Sequence, residues 1–300
     1  MNSLLSICDI KNEVPKILKL AKDFKEGKIE GKPLENKNLA MIFQKSSTRT
    51  RVSFEVGMNQ LGGNSLFLSN DDIQMARGEP ISDTAKVLSR YVYGIMIRAI
   101  EHEDVVEFAK ESEIPVISGL TNLEHPCQAL ADMLTVQERF GNFDGKFAYV
   151  GDGNNVCNSL LLICASLGMD IAVASPQGYE PETDIIKKAN KIAEKNNSYV
   201  IITDDAELAV KNARVVYTDV WVSMGDEKEQ GKRKKVFQKY QVDKELMKLA
   251  AKDAVFMHCL PAIRGEEVSA EVIDGPQSVV VDQAENRLHA QKAILYHFLK

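Results

Sequence analysis

The stretch LAMIFQKSSTRTRVSFEVGMNQL, residues 39–61, decides the fold of this chain. Its first five residues, Leu39–Phe43, form an apolar run of strand length, and Ser46–Arg51 is a polar turn. Apolar residues then recur from Val52 to Leu61 in an amphipathic pattern. The order strand, tight turn, helix start is the repeating unit of a parallel sheet covered by helices.

The turn Ser46–Arg51 alternates hydroxyl and guanidinium side chains at the predicted helix start. A helix start has unpaired backbone N–H groups and a partial positive charge, so it attracts anions. Arginine adds bidentate donors that match the oxygens of a phosphate. The alternative is a helix N-cap followed by two solvated arginines, and a single Ser or Thr at the helix start would favour it. The alternation of both residue types therefore favours a phosphate site.

The composition, with 44% apolar and 27% charged residues in a chain of 300, is typical of a soluble globular protein. The net charge of −6 argues against nucleic acid as a partner, and no apolar stretch approaches membrane-spanning length. The five cysteines show no spacing typical of a zinc site or a disulfide scaffold, so we expect a cytoplasmic protein without a metal. The basic run Lys232–Lys235 is interleaved with acidic residues and is expected to form a solvated loop.

Strand-like runs and helical patterns alternate along most of the chain, which predicts an α/β protein with parallel sheets. The predicted strands are Leu39–Phe43, Ser65–Leu68, Gly94–Ile97, Val116–Ser118, Phe147–Val150, Ile171–Ala174, Val200–Thr203, Val215–Thr218, Val255–His258 and Val279–Val281. The main predicted helices are Ser82–Tyr91, Ala129–Phe140, Val156–Leu167, Thr183–Lys195 and Leu246–Ala251.

Ten strands are many for one sheet, so we expect two doubly wound parallel-sheet domains. The glycine-flanked turn Gly141–Gly145 is the best boundary between them. Residues 1–140 would form the first domain and residues 141–284 the second. Residues 285–300 would form a closing helix that packs back on the first domain. In such folds ligands bind beyond the carboxyl ends of the strands, so the turns after strands should hold the chemistry.

Two further turns of the predicted first domain carry polar groups. Arg98 directly follows a predicted strand, although alone it could be a surface arginine. The sequence His125-Pro126-Cys127-Gln128 precedes a predicted helix, and proline fixes the chain at a helix start. A capping histidine would explain His125 equally well. The position matches that of the Ser/Thr/Arg turn, which favours a role for His125 and Gln128 in binding a ligand.

The turn Gly151-Asp152-Gly153-Asn154-Asn155-Val156 resembles the start of a dinucleotide-binding fingerprint. The third glycine is replaced by Val156, and no acidic residue ends the following predicted strand, so the pattern does not support a nucleotide site. Two asparagines at a helix start suit a small carboxylate instead.

Two later turns complete the set of candidate sites. Asp219 follows a predicted strand and leads through the only tryptophan to Ser223-Met224-Gly225, although a capping acid and a packing tryptophan would also fit. His258-Cys259-Leu260-Pro261 follows another strand. Cys259 could be a nucleophile, but adjacent residues on a strand point to opposite faces, so His258 is poorly placed to act as its base.

Together these motifs resemble the transcarbamylase family. Ser47-Thr48-Arg49-Thr50 and His125-Pro126-Cys127-Gln128 match motifs shared across the family, and Cys127 at the third position of the second motif is a mild departure. The Asp219 to Gly225 stretch and His258–Pro261 are similar to markers of its ornithine-using members, and Asn155 and Ala284–Arg287 also match. The resemblance runs in consistent order from about residue 39 to the C-terminus.

The resemblance implies transfer of the carbamoyl group of carbamoyl phosphate to the δ-amino group of L-ornithine, giving L-citrulline and phosphate, with no cofactor. The catalytic residues it implies are Arg98, His125, Asp219 and Cys259. The carbamoyl phosphate ligands it implies are Ser47, Thr48, Arg49, Thr50, Gln74, Arg98, His125, Gln128, Cys259, Leu260 and Arg287. The ornithine ligands it implies are Asn155, Asp219, Ser223 and Met224.

The resemblance also implies a homotrimer, or a multiple of trimers, with shared active sites. The long polar loop Ser69–Pro80 would carry Gln74 into the phosphate site of the neighbouring subunit, although such a loop could also be a mobile surface segment. Alternatives are a transcarbamylase acting on aspartate, putrescine or an acylated ornithine, and a non-catalytic anion-binding module on the same fold. The expected role is arginine biosynthesis, with arginine breakdown as the alternative.

Overall fold

The computed structural model describes residues 3–222 and 227–300. The chain divides into two compact units. The first unit comprises Met1–Leu134 together with Glu285–Lys300, and the second comprises Thr135–Ala284. Each unit is built around one parallel β-sheet, so the expected fold class of two α/β parallel-sheet domains is confirmed.

The first unit holds a four-stranded sheet in the order β2-β1-β3-β4. The second holds a five-stranded sheet in the order β7-β6-β5-β8-β9. The strands are β1 (Asn38–Phe43), β2 (Asn64–Ser69), β3 (Gly94–Arg98), β4 (Val116–Leu120), β5 (Lys146–Val150), β6 (Asp170–Ala174), β7 (Val200–Thr203), β8 (Ala213–Thr218) and β9 (Val255–His258).

Thirteen α-helices lie within the described residues. They are α1 (Ile7–Ile10), α2 (Val14–Lys25), α3 (Thr48–Gln60), α4 (Ile81–Tyr91), α5 (His102–Glu111), α6 (Pro126–Phe140), α7 (Asn155–Leu167), α8 (Thr183–Lys195), α9 (Ala206–Val210), α10 (Gln230–Phe237), α11 (Lys244–Met247), α12 (Ala270–Ile273) and α13 (Val280–Leu299). None of them is both long and apolar enough to cross a membrane.

The order of the strands reverses at β1 in the first sheet and at β5 in the second. At such a point the helices that follow neighbouring strands leave toward opposite faces, which opens a crevice beyond the carboxyl ends of the strands. The turn after β1 is Gln44–Ser47, and the turn after β5 is Gly151–Asn154. Both candidate sites therefore lie where a doubly wound sheet binds its ligands.

The central strands are buried on both faces, as parallel strands between helices require. In β1 the residues from Leu39 to Ile42 are fully buried. The closing helix α13 packs within the first unit, where a Cβ added at Gly57 of α3 would lie 3.4 Å from Cγ of Lys292. The aromatic rings of Phe24 and Tyr296 meet edge to face at 5.5 Å. The predicted return of the C-terminal helix to the first domain is confirmed.

Three expectations about local structure are wrong. The predicted helix Leu246–Ala251 is displaced, because α11 spans Lys244–Met247 and the chain turns after it. Val279–Val281 is not a strand, because Val280 begins the 20-residue helix α13. The basic run Lys232–Lys235 is not a solvated loop, because it lies within α10 and its second residue, Arg233, is buried. Arg233 forms an ion pair with the buried Asp152, which compensates the burial of both charges.

Candidate active site

The turn after β1 forms the helix start that the sequence predicts. Ser47 is the N-cap of α3, and its side-chain oxygen accepts a hydrogen bond from the backbone N–H of Thr50 at 3.3 Å. Thr50 is fully buried, Arg49 is half-buried and Thr48 is exposed. The turn thus presents hydroxyl and guanidinium groups beside the positive end of a helix dipole, which is an arrangement suited to phosphate.

Arg287 of α13 connects this turn to a second motif of the first unit. Its Nη2 donates to Oγ1 of Thr50 at 2.9 Å, and its Nη1 donates to Oε1 of Gln128 at 2.8 Å. Arg287 is nearly fully buried, with 4% of its surface exposed. The structure therefore brings together residues from three distant parts of the sequence that the resemblance assigned to one ligand.

His125 lies in a strongly positive environment. Burial, and then the positive charges of Arg287, Arg98 and Arg49, hold the pKa of His125 well below its usual value of 6.5. Its imidazole is therefore neutral at physiological pH, with one N–H donor and one acceptor nitrogen. Arg98 ends β3, the strand next to β1, and is buried as well. Three arginines around a neutral histidine form a site for a multiply charged anion.

The turn after β5 is shaped by backbone constraints. Gly151 has a φ of +142°, and a Cβ added at Gly153 would lie 2.2 Å from the backbone nitrogen of Pro181, so both positions require glycine. Asn154 is the N-cap of α7 and accepts from the backbone N–H of Val156 at 3.0 Å. This arrangement places the start of α7 beside Asp219, which directly follows β8.

Asp219 is the centre of a polar cluster in the second unit. Nδ2 of Asn154 donates to its Oδ2 at 2.8 Å, and the thiol of Cys259 donates to its Oδ1 at 3.0 Å. The backbone N–H of Val220 also donates to Oδ1 at 2.8 Å. Asp219 is 6% exposed and Cys259 is half-buried. A buried carboxylate beside a thiol and an amide is suited to bind and orient an amine.

His258 supports the loop that follows β9. Its Nδ1 accepts from the backbone N–H of Leu260 at 2.8 Å, so the ring proton lies on Nε2, 3.1 Å from Oε1 of Glu267. Leu260 has a φ of +58°, a left-handed conformation that leucine rarely adopts. The bond from its N–H to His258 holds this conformation in place. Both ring nitrogens of His258 are thus engaged within the loop, which confirms that it is poorly placed to act as a base for Cys259.

The side chains of Asp219, His258 and Cys259 offer ligand atoms within 4.8 Å of one another, a spacing that a metal ion could bridge. Nδ1 and Nε2 of His258 already have partners in the loop. A metal would have to displace one of these hydrogen bonds, so the geometry favours a structural role for the imidazole.

Some predicted residues lie apart from these clusters or outside the described residues. Gln74 is exposed, in a short 3-10 helix that spans Gln74–Arg77. Asn155 is the first residue of α7 and is half-buried, whereas its neighbour Asn154 makes the contact with Asp219. Ser223 and Met224 lie outside the described residues.

Sequence reasoning did not identify four side chains that support these clusters. Asn154 was considered only as one of a pair, and its cap position could have indicated that its side chain is held rigidly. Asp132 bonds to Gln128 one helical turn earlier, a spacing visible in the sequence. Arg233 and Asp152 are 81 residues apart, and no local pattern connects them.

Comparison with protein families matches both parts of the chain. Residues 2–138 match the family model described as "Aspartate/ornithine carbamoyltransferase, carbamoyl-P binding domain". Residues 144–298 match the one described as "Aspartate/ornithine carbamoyltransferase, Asp/Orn binding domain". The chain therefore belongs to the aspartate/ornithine carbamoyltransferase family and is a carbamoyltransferase.

Individual relatives are similar to the chain over its whole length. The "Ornithine carbamoyltransferase" of Methanobrevibacter smithii is 70% identical, with 100% of both chains covered. The "Ornithine carbamoyltransferase, catabolic" of Thermoplasma volcanium is 50% identical, covering 99% of this chain and 98% of the relative. The solved structure of the ornithine carbamoyltransferase from Pyrococcus furiosus superposes with a TM-score of 0.96 at 52% identity, covering 99% of this chain and 97% of that one.

Proposed function

We propose that this chain transfers the carbamoyl group of carbamoyl phosphate to the δ-amino group of L-ornithine, giving L-citrulline and phosphate. The observation that carries the proposal is the cluster in which the half-buried Arg49 and the buried Arg98 and Arg287 lie around a neutral, buried His125. A chain with a net charge of −6 concentrates positive charge at this point. Such a field suits a dianionic acyl phosphate and the negative charge that develops during transfer.

The first unit is proposed to hold carbamoyl phosphate. Ser47, Thr48, Arg49 and Thr50 bind the phosphate oxygens at the start of α3, where the helix dipole adds to the charge of the arginine. The neutral imidazole of His125 and the guanidinium of Arg98 donate to the carbamoyl oxygen. Because that oxygen gains negative charge as the amine attacks, these donors bind the transition state more tightly than the substrate.

The second unit is proposed to hold ornithine. Asp219 and Cys259, whose side chains meet at 3.0 Å, orient the δ-amino group. Asn155 at the start of α7, together with Ser223 and Met224, binds the amino-acid end. A carboxylate at the centre of this cluster favours an amine as the acceptor's reacting group and disfavours an acceptor with a second carboxylate.

The chemistry requires positioning and charge stabilisation. The lone pair of the neutral δ-nitrogen attacks the carbonyl carbon, the bond from that carbon to the phosphate oxygen breaks, and phosphate leaves. The nitrogen loses one proton, which the departing phosphate accepts as the nearest strong base. Holding both reactants in line supplies much of the rate enhancement.

For the biological setting we propose a cytoplasmic enzyme of arginine biosynthesis that forms a homotrimer or a multiple of trimers. All five cysteines are free thiols, as a reducing compartment predicts. The edge strand β2 and the adjacent helix α3 expose Leu66 and Val52, each to 50%, which suits a subunit interface. A role in arginine breakdown is the alternative, supported by the name of the Thermoplasma volcanium relative.

The test separates the two substrates. Asp219→Asn and Cys259→Ala should each reduce citrulline formation at least tenfold, since one charge-assisted contact contributes about 1.5–3 kcal/mol. The Asp219 variant should leave carbamoyl phosphate affinity within about twofold of wild type, because its side chain acts on the acceptor, whereas Cys259 is also among the implied carbamoyl phosphate ligands. The exposed Asp253→Asn is the matched control and should change neither value. Equal loss of both binding steps, or no citrulline from the wild type, would contradict the proposal.

A further inference from the structure

The side-chain amide of Gln128 lies between a hydrogen-bond acceptor, Asp132, and a hydrogen-bond donor, Arg287. Its Nε2 donates to Oδ1 of Asp132 at 2.8 Å. Its Oε1 accepts from Nη1 of Arg287 at 2.8 Å. Gln128 is 1% exposed and Asp132 is fully buried, so both residues are shielded from bulk solvent.

These two contacts fix which way the amide points. A carboxylate oxygen in contact with the amide requires its NH₂ group, and a guanidinium requires its oxygen. A rotation of 180° would place the amide oxygen against Asp132 and the NH₂ against Arg287, so both hydrogen bonds would become repulsive. Asp132 lies one turn after Gln128 on α6, where side chains four residues apart are neighbours.

The orientation decides what Gln128 offers to a ligand. An amide oxygen can accept two hydrogen bonds, and Arg287 occupies one of them. The second acceptor position is open to the NH₂ of a carbamoyl group, whereas the methyl of an acetyl group has no hydrogen to donate. A reversed amide would meet the carbamoyl NH₂ with hydrogens of its own.

We propose that Asp132 is a positioning residue that sets the selectivity for a carbamoyl over an acetyl group by locking the amide of Gln128. This inference rests on the proposed function, since it assumes that carbamoyl phosphate binds beside Gln128. Asp132 acts through Gln128 and does not itself touch the substrate. Arg287 donates to both Gln128 and Thr50. Its guanidinium therefore connects the amide proposed to select the carbamoyl group with the turn proposed to bind the phosphate.

The test uses two stable ligands that differ only at the selected group. Phosphonoacetamide carries an NH₂ where acetonylphosphonate carries a methyl, and inorganic phosphate serves as a third ligand with neither. Isothermal titration of the full-length protein measures all three affinities. Wild type should prefer the amide over the methyl ketone by about tenfold, the value of one well-placed hydrogen bond.

Asp132→Leu and Asp132→Ala remove the acceptor, and the second variant covers the case in which leucine does not fit. The preference should fall to about twofold or less, while the affinities for acetonylphosphonate and phosphate stay within about threefold of wild type. Glu138→Ala, an exposed carboxylate on the same helix, should keep the wild-type preference.

The outcomes distinguish this inference from the proposed function. Variants that keep the tenfold preference, or that lose affinity equally for all three ligands, overturn the role of Asp132 even when the wild type makes citrulline. A wild type that makes no citrulline and binds none of the three ligands overturns the proposed function, and this inference with it.

Discussion

Two arginines of the same helix, Arg49 and Arg51, show how position decides the role of a residue. The charge of Arg49 contributes to the low pKa of His125, so its guanidinium lies close to the buried cluster. Arg51, two residues later, pairs with Glu55 at 2.9 Å on the surface and lies over the ring of Phe67 at 3.7 Å. The same side chain thus lies beside the buried cluster at one position and on a solvated helix face at the other.

This pair provides a matched test. Arg49→Ala should weaken carbamoyl phosphate binding by about 2–5 kcal/mol, because it removes one partner of a desolvated charge contact. Arg51→Ala should leave affinity within about twofold, since an exposed ion pair contributes at most about 1 kcal/mol. Calorimetric titration measures both. Near-normal affinity in the Arg49 variant would show that the phosphate binds elsewhere.

At single positions the sequence predicted types of contact better than individual partners. His125, Gln128 and Arg287 were expected to share one ligand, and the structure brings them into one buried cluster. Asn155 was predicted as an ornithine ligand, and the structure adds its neighbour Asn154, which makes the bond to Asp219. Adjacent residues at a helix start project in different directions, and the backbone path that decides between them is fixed by glycines whose neighbours lie elsewhere in the chain.

At the scale of elements, α10 shows a helix whose one buried arginine contacts several distant segments of the chain. Arg233 forms an ion pair with Asp152, and its Nε donates to the backbone oxygen of Trp221 at 2.6 Å. Its guanidinium also lies 4.9 Å from the ring centre of Tyr179. This one side chain therefore connects α10 to the turn after β5 and to the residues that follow β8.

Arg233→Ala should lower the free energy of unfolding by about 3–5 kcal/mol, because it leaves the buried carboxylate of Asp152 without its ion-pair partner. Urea denaturation of the full-length protein measures the change. The exposed Lys235→Ala on the same helix should stay within about 0.5 kcal/mol of wild type. A loss in the Arg233 variant no larger than in the control would refute the structural role of this pair.

The elements that the sequence predicted well are those with strong local signals. Strands β7 and β9 begin and end where expected, because runs of β-branched and aromatic residues are bounded by turn residues. The strand predicted at Val279–Val281 rested on the same signal, and that prediction is wrong. Three β-branched residues favour a strand only weakly, and packing of a long helix outweighed that preference. The burial of Arg233 could not be predicted, since its partner is 81 residues away.

At the scale of the whole molecule, the proposed homotrimer accounts for an exposed Gln74 that the resemblance assigns to a phosphate site. A residue of the loop Ser69–Pro80 would then act on the site of a neighbouring subunit. In a closed ring every subunit both donates and receives such a loop.

Subunit complementation tests this arrangement. Arg49→Ala and Gln74→Ala chains are each expected to be nearly inactive, and unfolding and refolding them together allows mixed trimers to form. A native site needs Arg49 from one chain and Gln74 from its neighbour, and random assortment of equal amounts gives this combination at about one quarter of the sites. Activity should therefore rise toward about one quarter of the wild-type value. Mixed trimers that form without regaining activity, or a monomer in sedimentation, would rule out the shared site.

The central claim is the proposed function, transfer of the carbamoyl group of carbamoyl phosphate to ornithine. It is tested most directly by measuring kcat/KM for carbamoyl transfer to L-ornithine, putrescine, L-aspartate and an Nα-acylated ornithine in parallel. The account predicts that ornithine exceeds each of the others by at least about 10²-fold, because a buried polar site rejects analogues that leave its groups unpaired. An equal or higher value for aspartate, putrescine or the acylated ornithine would contradict it.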